Sequence, residues 1–383
     1  MDIIHGDCQE VMKTFSNNHI DFIVTDPPYG LSFMNKEWDT KTPSQEIWKE
    51  AIRICKPGAM LAAFGGSRTH HHLMISLEKA GWEIRDVIMW LYGSGFPKSH
   101  NHFGLEGYGT ALKPAYEPII ICMKPLEGTY KQNVEKWGIG GINIDESRIP
   151  TNDKLGGGQQ NPDSIGKIHE GFQRPWMKDE MLKQKHSEKI NANVDKSERL
   201  GRWPANIILD EEAASMLDEQ AGILKSGSLR PLDNKPFGGI YQHGRSKANI
   251  NQFEASSGVA SRFFYCAKAS SAERNRGLEG MPLKQSNPNF GSGGFSRPKE
   301  QPERETKPCQ NFHPTVKPIS LMKYIIKLLA PPNNPILLDP FCGSGSTLIA
   351  AKELGINFIG IEISKEYCEI AEKRVANAKI NQE

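Results

Sequence analysis

The residues best suited to chemistry form a tetrapeptide near the start of the chain, Asp26-Pro27-Pro28-Tyr29. An aromatic amino group is a poor nucleophile because its lone pair is delocalised into the ring. The Asp26 carboxylate and the Pro27 carbonyl are both acceptors, and two acceptors on one amino group would draw its hydrogens out of the ring plane and expose the lone pair. The two prolines fix this geometry because their φ angles are locked. Tyr29 offers a flat face on which an aromatic base could stack. The alternative is a rigid turn without a chemical role.

A second motif, from Asp339 to Thr347, turns a predicted strand into a predicted helix through Gly343 and Gly345. The two glycines let the backbone approach a ligand without a Cβ in the way. A triphosphate-binding loop would need a lysine where Ser346 stands, so the motif disfavours nucleoside triphosphates.

An acidic residue accompanies this loop at a fixed distance. Glu362 ends the next predicted strand, 19 residues after Gly343 because 362 − 343 = 19. A carboxylate there can accept hydrogen bonds from both ribose hydroxyls of a nucleoside. A dinucleotide fingerprint would want a third glycine where Leu348 stands. The combination suits S-adenosylmethionine, a nucleoside without phosphates, whose sulfonium methyl an exposed amino lone pair could attack directly.

Both motifs follow short apolar runs, over residues 22–24 and 336–338, that are typical of buried parallel strands. Ligands of open α/β sheets bind at the carboxyl ends of the strands. We therefore expect two motifs 300 residues apart in sequence to face one cleft. Asp7 also follows a predicted strand, and its carboxylate could accept a hydrogen bond from the adenine of the same cofactor; a simple turn is the alternative.

Strands and helices alternate at both ends of the chain, which is typical of βαβ units with a parallel sheet. At the amino-terminal end we predict strands over residues 2–4, 22–25, 60–64, 87–90 and 118–123, and helices from about 9 and over 44–55 and 70–80. At the carboxyl-terminal end we predict a helix over 347–354, a strand over 358–362 and a helix over 365–378. Neither end alone has enough strands for a sheet. We expect one α/β domain made of residues 1–124, the catalytic half, and 313–383, the cofactor-binding half.

The intervening residues 125–312 are expected to form a loop-rich insertion. Two ordered islands stand out: residues 205–209 lead into a helix that ends near Gly222, and residues 262–266 lead into a second short helix. Both islands could add strands to the main sheet. Residues 225–276 carry nine lysines and arginines against three acidic residues, and aromatic residues lie among them: Phe237, Tyr241, Phe253, Phe263 and Phe264. That pattern suits phosphates and stacked bases, although a solvated loop is the alternative.

Size and composition limit the remaining classes. The chain of 383 residues, 38% of them hydrophobic, is long enough to bury a real core, and its formal charge of +2 is compatible with nucleic acid without requiring it. Residues 1–5 lack the pattern of a signal peptide, and no apolar stretch is long enough to span a membrane. Seven scattered cysteines without a CxxC pair argue against disulfides and structural zinc. We expect a cytoplasmic protein without a metal site.

The tetrapeptide and the glycine loop together resemble an amino-group DNA methyltransferase of the permuted (β-type) class, in which the catalytic motif precedes the cofactor motif. The resemblance covers both ends, about 200 residues. The Asp form of the tetrapeptide resembles enzymes that act on adenine N6, whereas cytosine N4 enzymes usually carry serine first. The segment His313-Pro314-Thr315-Val316-Lys317-Pro318 matches the element that precedes the cofactor loop.

The resemblance implies roles for individual residues and for the insertion. Catalysis is expected of Asp26, Pro27, Pro28 and Tyr29, acting on a base flipped out of duplex DNA. The expected cofactor residues are Asp7, Cys8, Lys317, Asp339, Phe341, Cys342, Gly343, Gly345, Ser346, Thr347 and Glu362. In this family the segment between the two halves carries target recognition. Residues 201–206 and 261–268 also resemble phage- or prophage-borne members.

Three other patterns are weaker. Cys309, in Pro308-Cys309-Gln310, resembles the nucleophile of cytosine C5 methyltransferases, but it follows a charged linker and not a strand. Three adjacent residues of a helix, His70 to His72, cannot all face one metal ion. Residues 90–98 could form a mobile loop over the cleft.

Three alternative functions stay open: a cytosine N4 enzyme, an enzyme with an RNA or protein substrate, and a non-catalytic DNA-binding module. A homodimer is compatible with the sequence. Nothing in the sequence identifies a restriction endonuclease partner.

Overall fold

The structure is a computed structural model that describes residues 2–31, 39–95, 99, 104–153, 155, 178–225, 256–268, 271–283, 310–313 and 315–380. The chain divides into two compact units. The first consists of Met1–Asn143, Asn206–Met216 and Cys266–Glu383, and the second of Ile144–Ala205 and Leu217–Tyr265. The expected insertion, residues 125–312, is longer than this second unit, because residues 125–143, 206–216 and 266–312 belong to the first unit.

The described strands are β1 (Asp2–His5), β2 (Ile20–Thr25), β3 (Cys55–Phe64), β4 (Glu83–Leu91), β5 (Tyr116–Met123), β6 (Ile207–Asp210), β7 (Leu224–Lys225), β8 (Ser257–Gly258), β9 (Tyr265–Ala267), β10 (Ile336–Asp339) and β11 (Asn357–Glu362). The described helices are α1 (Cys8–Lys13), α2 (Gln45–Ile54), α3 (His70–Ala80), α4 (Tyr130–Trp137), α5 (Glu180–Leu200), α6 (Glu211–Ala221), α7 (Ile319–Leu329), α8 (Ser346–Glu353) and α9 (Lys365–Asn377). Most of the predicted elements at the two ends are confirmed to within a few residues.

Nine strands form one sheet in the order β1-β11-β10-β2-β3-β5-β4-β6-β9. The pairs from β1 to β3 are all parallel. The expectation of a parallel arrangement throughout is wrong for β5, which runs antiparallel to both β3 and β4. The described part of the β4–β5 connection, residues 92–95, 99 and 104–115, contains no helix. Antiparallel neighbours need no crossover helix, whereas parallel strands do.

The centre of the sheet brings the two ends of the sequence together. All six residues of β2 are buried, as expected for a strand covered on both faces. On one side β2 pairs with β10, so that Phe22 lies opposite Leu337 and Ile23 opposite Leu338. Because both strands run in the same direction, the residues that follow them emerge at one edge. The predicted meeting of the two motifs at that edge is confirmed.

The two islands predicted inside the insertion have different outcomes. The first is confirmed: β6 pairs in parallel with β4, and α6 ends before Gly222, whose φ of 60° is left-handed. In the second, the strand predicted from Arg262 begins only at Tyr265, because residues 260–263 form a short 3-10 helix. The basic stretch that adjoins this island falls largely outside the described residues, which omit 226–255.

The second unit contains α5, the small β7–β8 hairpin and a cluster of arginines. Arg202 and Arg262 both form ion pairs with Asp153. The two guanidinium groups also lie over the ring of Phe263, at 4.5 and 4.6 Å from its centroid. Cation–aromatic contacts of this kind hold long basic side chains in one conformation. None of the described helices is both long enough and apolar enough to cross a membrane.

Candidate active site

The tetrapeptide leaves the sheet at the end of β2 and is held there by a buried carboxylate. The backbone N–H groups of Tyr29 and Gly30 both donate to Asp39 Oδ1, at 2.7 and 3.0 Å. The Asp39 side chain is only 2% exposed. Gly30 has a φ of 68°, and a Cβ on it would lie 2.9 Å from the backbone nitrogen of Thr42. The turn after the tetrapeptide therefore needs both the acidic residue and the glycine; sequence analysis missed Asp39 because nothing marks it as a partner of Tyr29.

Both oxygens of the Asp26 carboxylate have a hydrogen-bond donor. Lys317 Nζ lies 2.6 Å from Asp26 Oδ2, and the Tyr29 hydroxyl donates to Asp26 Oδ1 at 2.8 Å. The Lys317 side chain is 7% exposed, so its ammonium is nearly removed from water. Lys317 was expected among the cofactor residues. The structure places it against Asp26, the first residue of the tetrapeptide, and a contact with the cofactor stays a prediction.

A second carboxylate completes this network. Glu117, on β5, places its Oε2 atom 2.9 Å from the Tyr29 hydroxyl and 3.4 Å from Lys317 Nζ. Burial alone would lower the pKa of Lys317, but Asp26 and Glu117 together raise it above its ordinary value, so the ammonium stays charged. Burial and the same two carboxylates raise the pKa of Tyr29 well above its ordinary value. Tyr29 therefore keeps its proton and acts as a donor.

Glu117 could not be found from the sequence. It stands in a Tyr-Glu-Pro triplet at the start of an apolar run and matches no motif. It reaches the site only because β5 is inserted antiparallel beside β3, which the pattern of alternating strands and helices does not indicate.

A short hydrogen bond joins the two predicted motifs. The Thr25 hydroxyl, at the end of β2, donates to Asp339 Oδ1 at 2.6 Å, and the Phe341 backbone N–H donates to the same atom at 3.1 Å. The Asp339 side chain is 1% exposed. Burial raises its pKa to about 6, against the opposing effect of hydrogen bonds from Thr25 and Thr347. The catalytic strand and the glycine loop are thus fixed to each other through one carboxylate.

The glycine loop needs its glycines because of its backbone and its neighbours. Gly343 and Gly345 have φ angles of 52° and 82°, in the left-handed region that side chains rarely adopt. A Cβ on Gly343 would lie 2.8 Å from His313 Nε2, and one on Gly345 would lie 3.0 Å from the Ala371 Cβ. Burial, with the positive charges of Lys317, Arg274 and Arg374 nearby, lowers the pKa of His313 to about 3, so this imidazole is neutral.

Two carboxylates lie at the carboxyl ends of β1 and β11. Glu362, the last residue of β11, accepts hydrogen bonds from the backbone N–H groups of Gly343 and Ser364 at 2.9 and 2.8 Å. A carboxylate has about four acceptor positions, so Glu362 can accept further hydrogen bonds. Asp7 is the N-cap of α1, and its Oδ1 accepts from the backbone N–H groups of Gln9 and Glu10. The turn role that was the alternative for Asp7 is therefore present; a contact with adenine stays a prediction.

The other expected cofactor residues are mostly buried around the loop. Cys8 begins α1, and burial raises the pKa of its thiol to about 12. Burial also raises the pKa of Cys342 well above its ordinary value. Phe341 packs against Trp48 at a centroid distance of 6.2 Å. The buried residues Ser346 and Thr347 begin α8. Both thiols therefore keep their protons, and a contact of either one with the cofactor stays a prediction.

The weaker patterns fall only partly within the described residues. The three histidines begin α3, and the ring centroids of His71 and His72 lie 3.9 Å apart with the rings tilted by 41°. In the part of the chain that the structure describes, no group of His, Cys, Asp and Glu side chains could hold a metal ion. Cys309 and residues 96–98 of the expected mobile loop lie outside the described residues.

The comparison with family models covers almost the whole chain. The model of the N6/N4 methyltransferase family, described as DNA methylase, matches residues 20–373. The chain belongs to the DNA methylase family. The match includes both motifs and the region between them.

Curated relatives match this DNA methylase over short segments. The type II methyltransferase M2.LlaDCHI of Lactococcus lactis subsp. cremoris is 51% identical over 63 residues, which are 16% of this chain and 23% of the relative. The type II methyltransferase M.HindIII of Haemophilus influenzae is 44% identical over 78 residues, or 20% of this chain and 25% of the relative. The matched segments thus span about a quarter of these relatives.

Solved structures match over nearly the full length at low identity. The complex of M1.HpyAVI with SAM is 18% identical, with a TM-score of 0.43 and coverage of 98% of both chains. The cytosine-N4-specific PvuII DNA methyltransferase is 13% identical, with a TM-score of 0.46 and coverage of 99% of this chain and 87% of that one. The α/β architecture of this DNA methylase follows from its own sheet: a Rossmann-like methyltransferase sheet with helices, and an antiparallel β5.

S-adenosylmethionine is the cofactor of this family, and the residues at the sheet edge fit it. The strands β1, β11, β10 and β2 are neighbours in that order. Their carboxyl ends carry Asp7, Glu362, the glycine loop and Asp26. Along this edge the order is two carboxylates, a glycine loop without a phosphate-binding lysine, and the Asp26 carboxylate. This order fits S-adenosylmethionine. In that molecule the sulfonium atom that carries the methyl group joins a nucleoside to an amino acid.

A buried arginine that sequence analysis missed forms hydrogen bonds with the glycine loop. Arg374, on α9, is 2% exposed, and its Nη1 donates to the Ser344 carbonyl at 2.6 Å and to the Ser344 hydroxyl at 3.0 Å. The side-chain amide of Asn311 donates to the same hydroxyl at 3.3 Å. An arginine in a charged carboxyl-terminal helix is expected to be a surface residue. No signal in the sequence indicates that Arg374 is buried.

Gly343→Ala should weaken binding of S-adenosylmethionine by roughly tenfold or more. The new Cβ would lie 2.8 Å from His313 Nε2 and would force an alanine into the left-handed region, at a cost of about 1 to 2 kcal/mol for the backbone alone. Isothermal titration with the cofactor measures the effect. Gly355→Ala is the matched control, because Gly355 has a φ of 70° but no atom within 4 Å of the added Cβ. Equal affinities of the two variants would contradict the role given to the loop.

Proposed function

We propose that this DNA methylase transfers a methyl group from S-adenosylmethionine to the N6 amino group of adenine in duplex DNA. The observation that carries the proposal is the short distance between the two motifs. The Asp26 carboxylate follows β2 directly, and the preceding residue, Thr25, is hydrogen-bonded at 2.6 Å to Asp339, which opens the glycine loop. An amino group held at Asp26 would therefore lie beside the cofactor.

In the proposed reaction the chain supplies acceptors and positioning. The bound cofactor supplies an electrophilic methyl group on a sulfonium centre. Asp26 and the Pro27 carbonyl accept the two hydrogens of the amino group, which localises its lone pair for in-line attack. After transfer the amino nitrogen releases one proton, and Asp26 is its nearest acceptor. Tyr29 keeps its hydroxyl in the buried network, and its ring is the surface proposed to stack on a flipped base.

Adenine is favoured over cytosine by the identity of the first residue of the tetrapeptide, Asp26. The runner-up is transfer to cytosine N4, and one solved structure similar to this chain is described as cytosine-N4-specific. A non-catalytic DNA-binding module is disfavoured, because the buried network of Asp26, Tyr29 and Lys317 would be costly to keep without a chemical use. The order of the motifs supports the permuted, β-type class and leaves a phage origin as a proposal.

The second unit is proposed to recognise the target sequence. Trp203 is 65% exposed, which is unusual for so large an apolar side chain. The Arg148 guanidinium lies 5.2 Å from the centroid of its ring and fixes it. An exposed ring held by an arginine can stack on bases. Together with the Arg202, Phe263 and Arg262 cluster, this arrangement supports a nucleic-acid surface.

The substrate base is tested by labelled methyl transfer. Unmethylated DNA is incubated with the protein and S-adenosylmethionine that carries a labelled methyl group, then digested to nucleosides and analysed by mass. We expect the label in N6-methyladenine. Label in N4-methylcytosine would contradict the proposal for adenine and support the runner-up function, transfer to cytosine N4. Label in neither base, with cofactor binding intact, would contradict the proposal for DNA and direct the test to RNA and protein.

Trp203→Ala should weaken binding to DNA by about tenfold, because each stacked base contributes of the order of 1 to 3 kcal/mol. The affinity for S-adenosylmethionine should be unchanged. Fluorescence anisotropy with a labelled duplex at one fixed salt concentration measures the first quantity. Tyr130→Ala is the matched control: Tyr130 is an exposed aromatic residue that also contacts an arginine, Arg85, but it belongs to the first unit. A Trp203 variant that binds DNA as tightly as the control variant would refute this role.

A further inference from the structure

The Asp26 carboxylate is already engaged by the protein itself. Lys317 Nζ lies 2.6 Å from one of its oxygens, and the Tyr29 hydroxyl lies 2.8 Å from the other. A carboxylate oxygen can accept a second hydrogen bond. However, an ammonium and an amino group on the same oxygen would bring the partial positive charges of their hydrogens close together. The proposed reaction therefore needs a way to move at least one of these two donors away from Asp26.

Glu117 is close to both donors. Its Oε2 atom lies 2.9 Å from the Tyr29 hydroxyl and 3.4 Å from Lys317 Nζ. The phenol has only one proton, so it can donate to one carboxylate at a time. The ammonium needs to shorten its distance to Glu117 by only about 0.8 Å, from 3.4 to 2.6 Å, to form the contact that it now has with Asp26. Both donors can thus exchange one carboxylate for the other with small movements.

The surroundings of the ammonium leave it few other partners. The Lys317 side chain is 7% exposed, and its Nζ lies 5.4 Å from the centroid of the Tyr29 ring and 5.2 Å from that of Phe64. Aromatic faces attract a cation but offer no lone pair comparable to a carboxylate. A buried ammonium without an anion is costly. When Lys317 leaves Asp26, Glu117 is therefore the carboxylate in reach among the described residues.

We infer that Glu117 is a positioning residue for methyl transfer: it takes over the Lys317 ammonium and the Tyr29 hydroxyl when the amino group of the target base arrives, and so frees Asp26 to accept that amino group. The inference rests on the proposed function. It differs from a purely structural role for Glu117, because it requires the negative charge of the side chain and acts through Lys317.

Glu117→Gln should lower kcat for methyl transfer by roughly 10- to 100-fold, because a neutral amide holds the ammonium much more weakly than a carboxylate and Lys317 would stay on Asp26. The KM for S-adenosylmethionine and the melting temperature should change little, since glutamine has nearly the same shape. Glu83→Gln, on the neighbouring strand β4, is the matched control, because Glu83 is an exposed residue paired only loosely with Arg85, at 3.7 Å. This control should keep the wild-type kcat.

A double-mutant cycle with Lys317→Met tests whether Glu117 acts through Lys317. In the Lys317→Met background there is no ammonium to take over and only the Tyr29 hydroxyl remains for Glu117, so adding Glu117→Gln should lower kcat by a clearly smaller factor than it does in the wild type. Equal losses from Glu117→Gln in both backgrounds would overturn the inference. A fall in melting temperature that accounts for the loss of activity would overturn it as well.

A binding measurement gives a readout that does not depend on turnover. Once the target position is mapped, duplexes with adenine or with purine at that position are compared; purine lacks the amino group. The wild type should prefer adenine, and Glu117→Gln should lose most of this preference because Asp26 stays occupied. An unchanged preference would contradict the inference. If the wild type transfers no methyl group, the proposed function and the inference both fail; if wild type and Glu117→Gln transfer equally fast, only the inference fails.

Discussion

The parallel pairing of β2 with β10 is the constraint on which the rest of the molecule depends. Residues more than 300 positions apart are brought to one sheet edge because two largely apolar strands pair side by side in the same direction. The hydrogen bond between Thr25 and Asp339 then fixes the two following loops to each other at atomic distance. Without this pairing the tetrapeptide would be a rigid turn and the glycine loop a strand-to-helix connection.

The buried charges beside this pairing are best understood as functional. An ammonium between two carboxylates must lose its water, and the attraction between the charges repays that cost only when the geometry is good. Here the Lys317 ammonium and the Tyr29 hydroxyl each contact both Asp26 and Glu117, so each of these two carboxylates has a donor. If both donors can move from Asp26 to Glu117, as inferred above, the network suits a site in which a substrate group must displace a protein group.

Much of the fold and part of the site could be predicted from sequence, and the division has a physical reason. Local patterns mark the strands at both ends, the tetrapeptide and the glycine loop, because burial and left-handed turns demand particular residue types at fixed spacing. The antiparallel β5 was not predicted, since its orientation depends on pairing partners far along the chain. Glu117, Asp39 and Arg374 were missed for the same reason: each acts through a contact with a residue distant in sequence or in a neighbouring turn, and none stands in a motif.

The central claim is that Asp26 orients the amino group while the cofactor is held elsewhere along the same edge. The most direct test compares wild type and Asp26→Ala in two assays, transfer of labelled methyl groups to DNA and isothermal titration with S-adenosylmethionine. The account predicts that the variant loses transfer by a factor of about a thousand or more, since orientation of the nucleophile is a large part of catalysis, while its cofactor affinity stays within about threefold of wild type. Methyl transfer at the wild-type rate by Asp26→Ala would contradict the account.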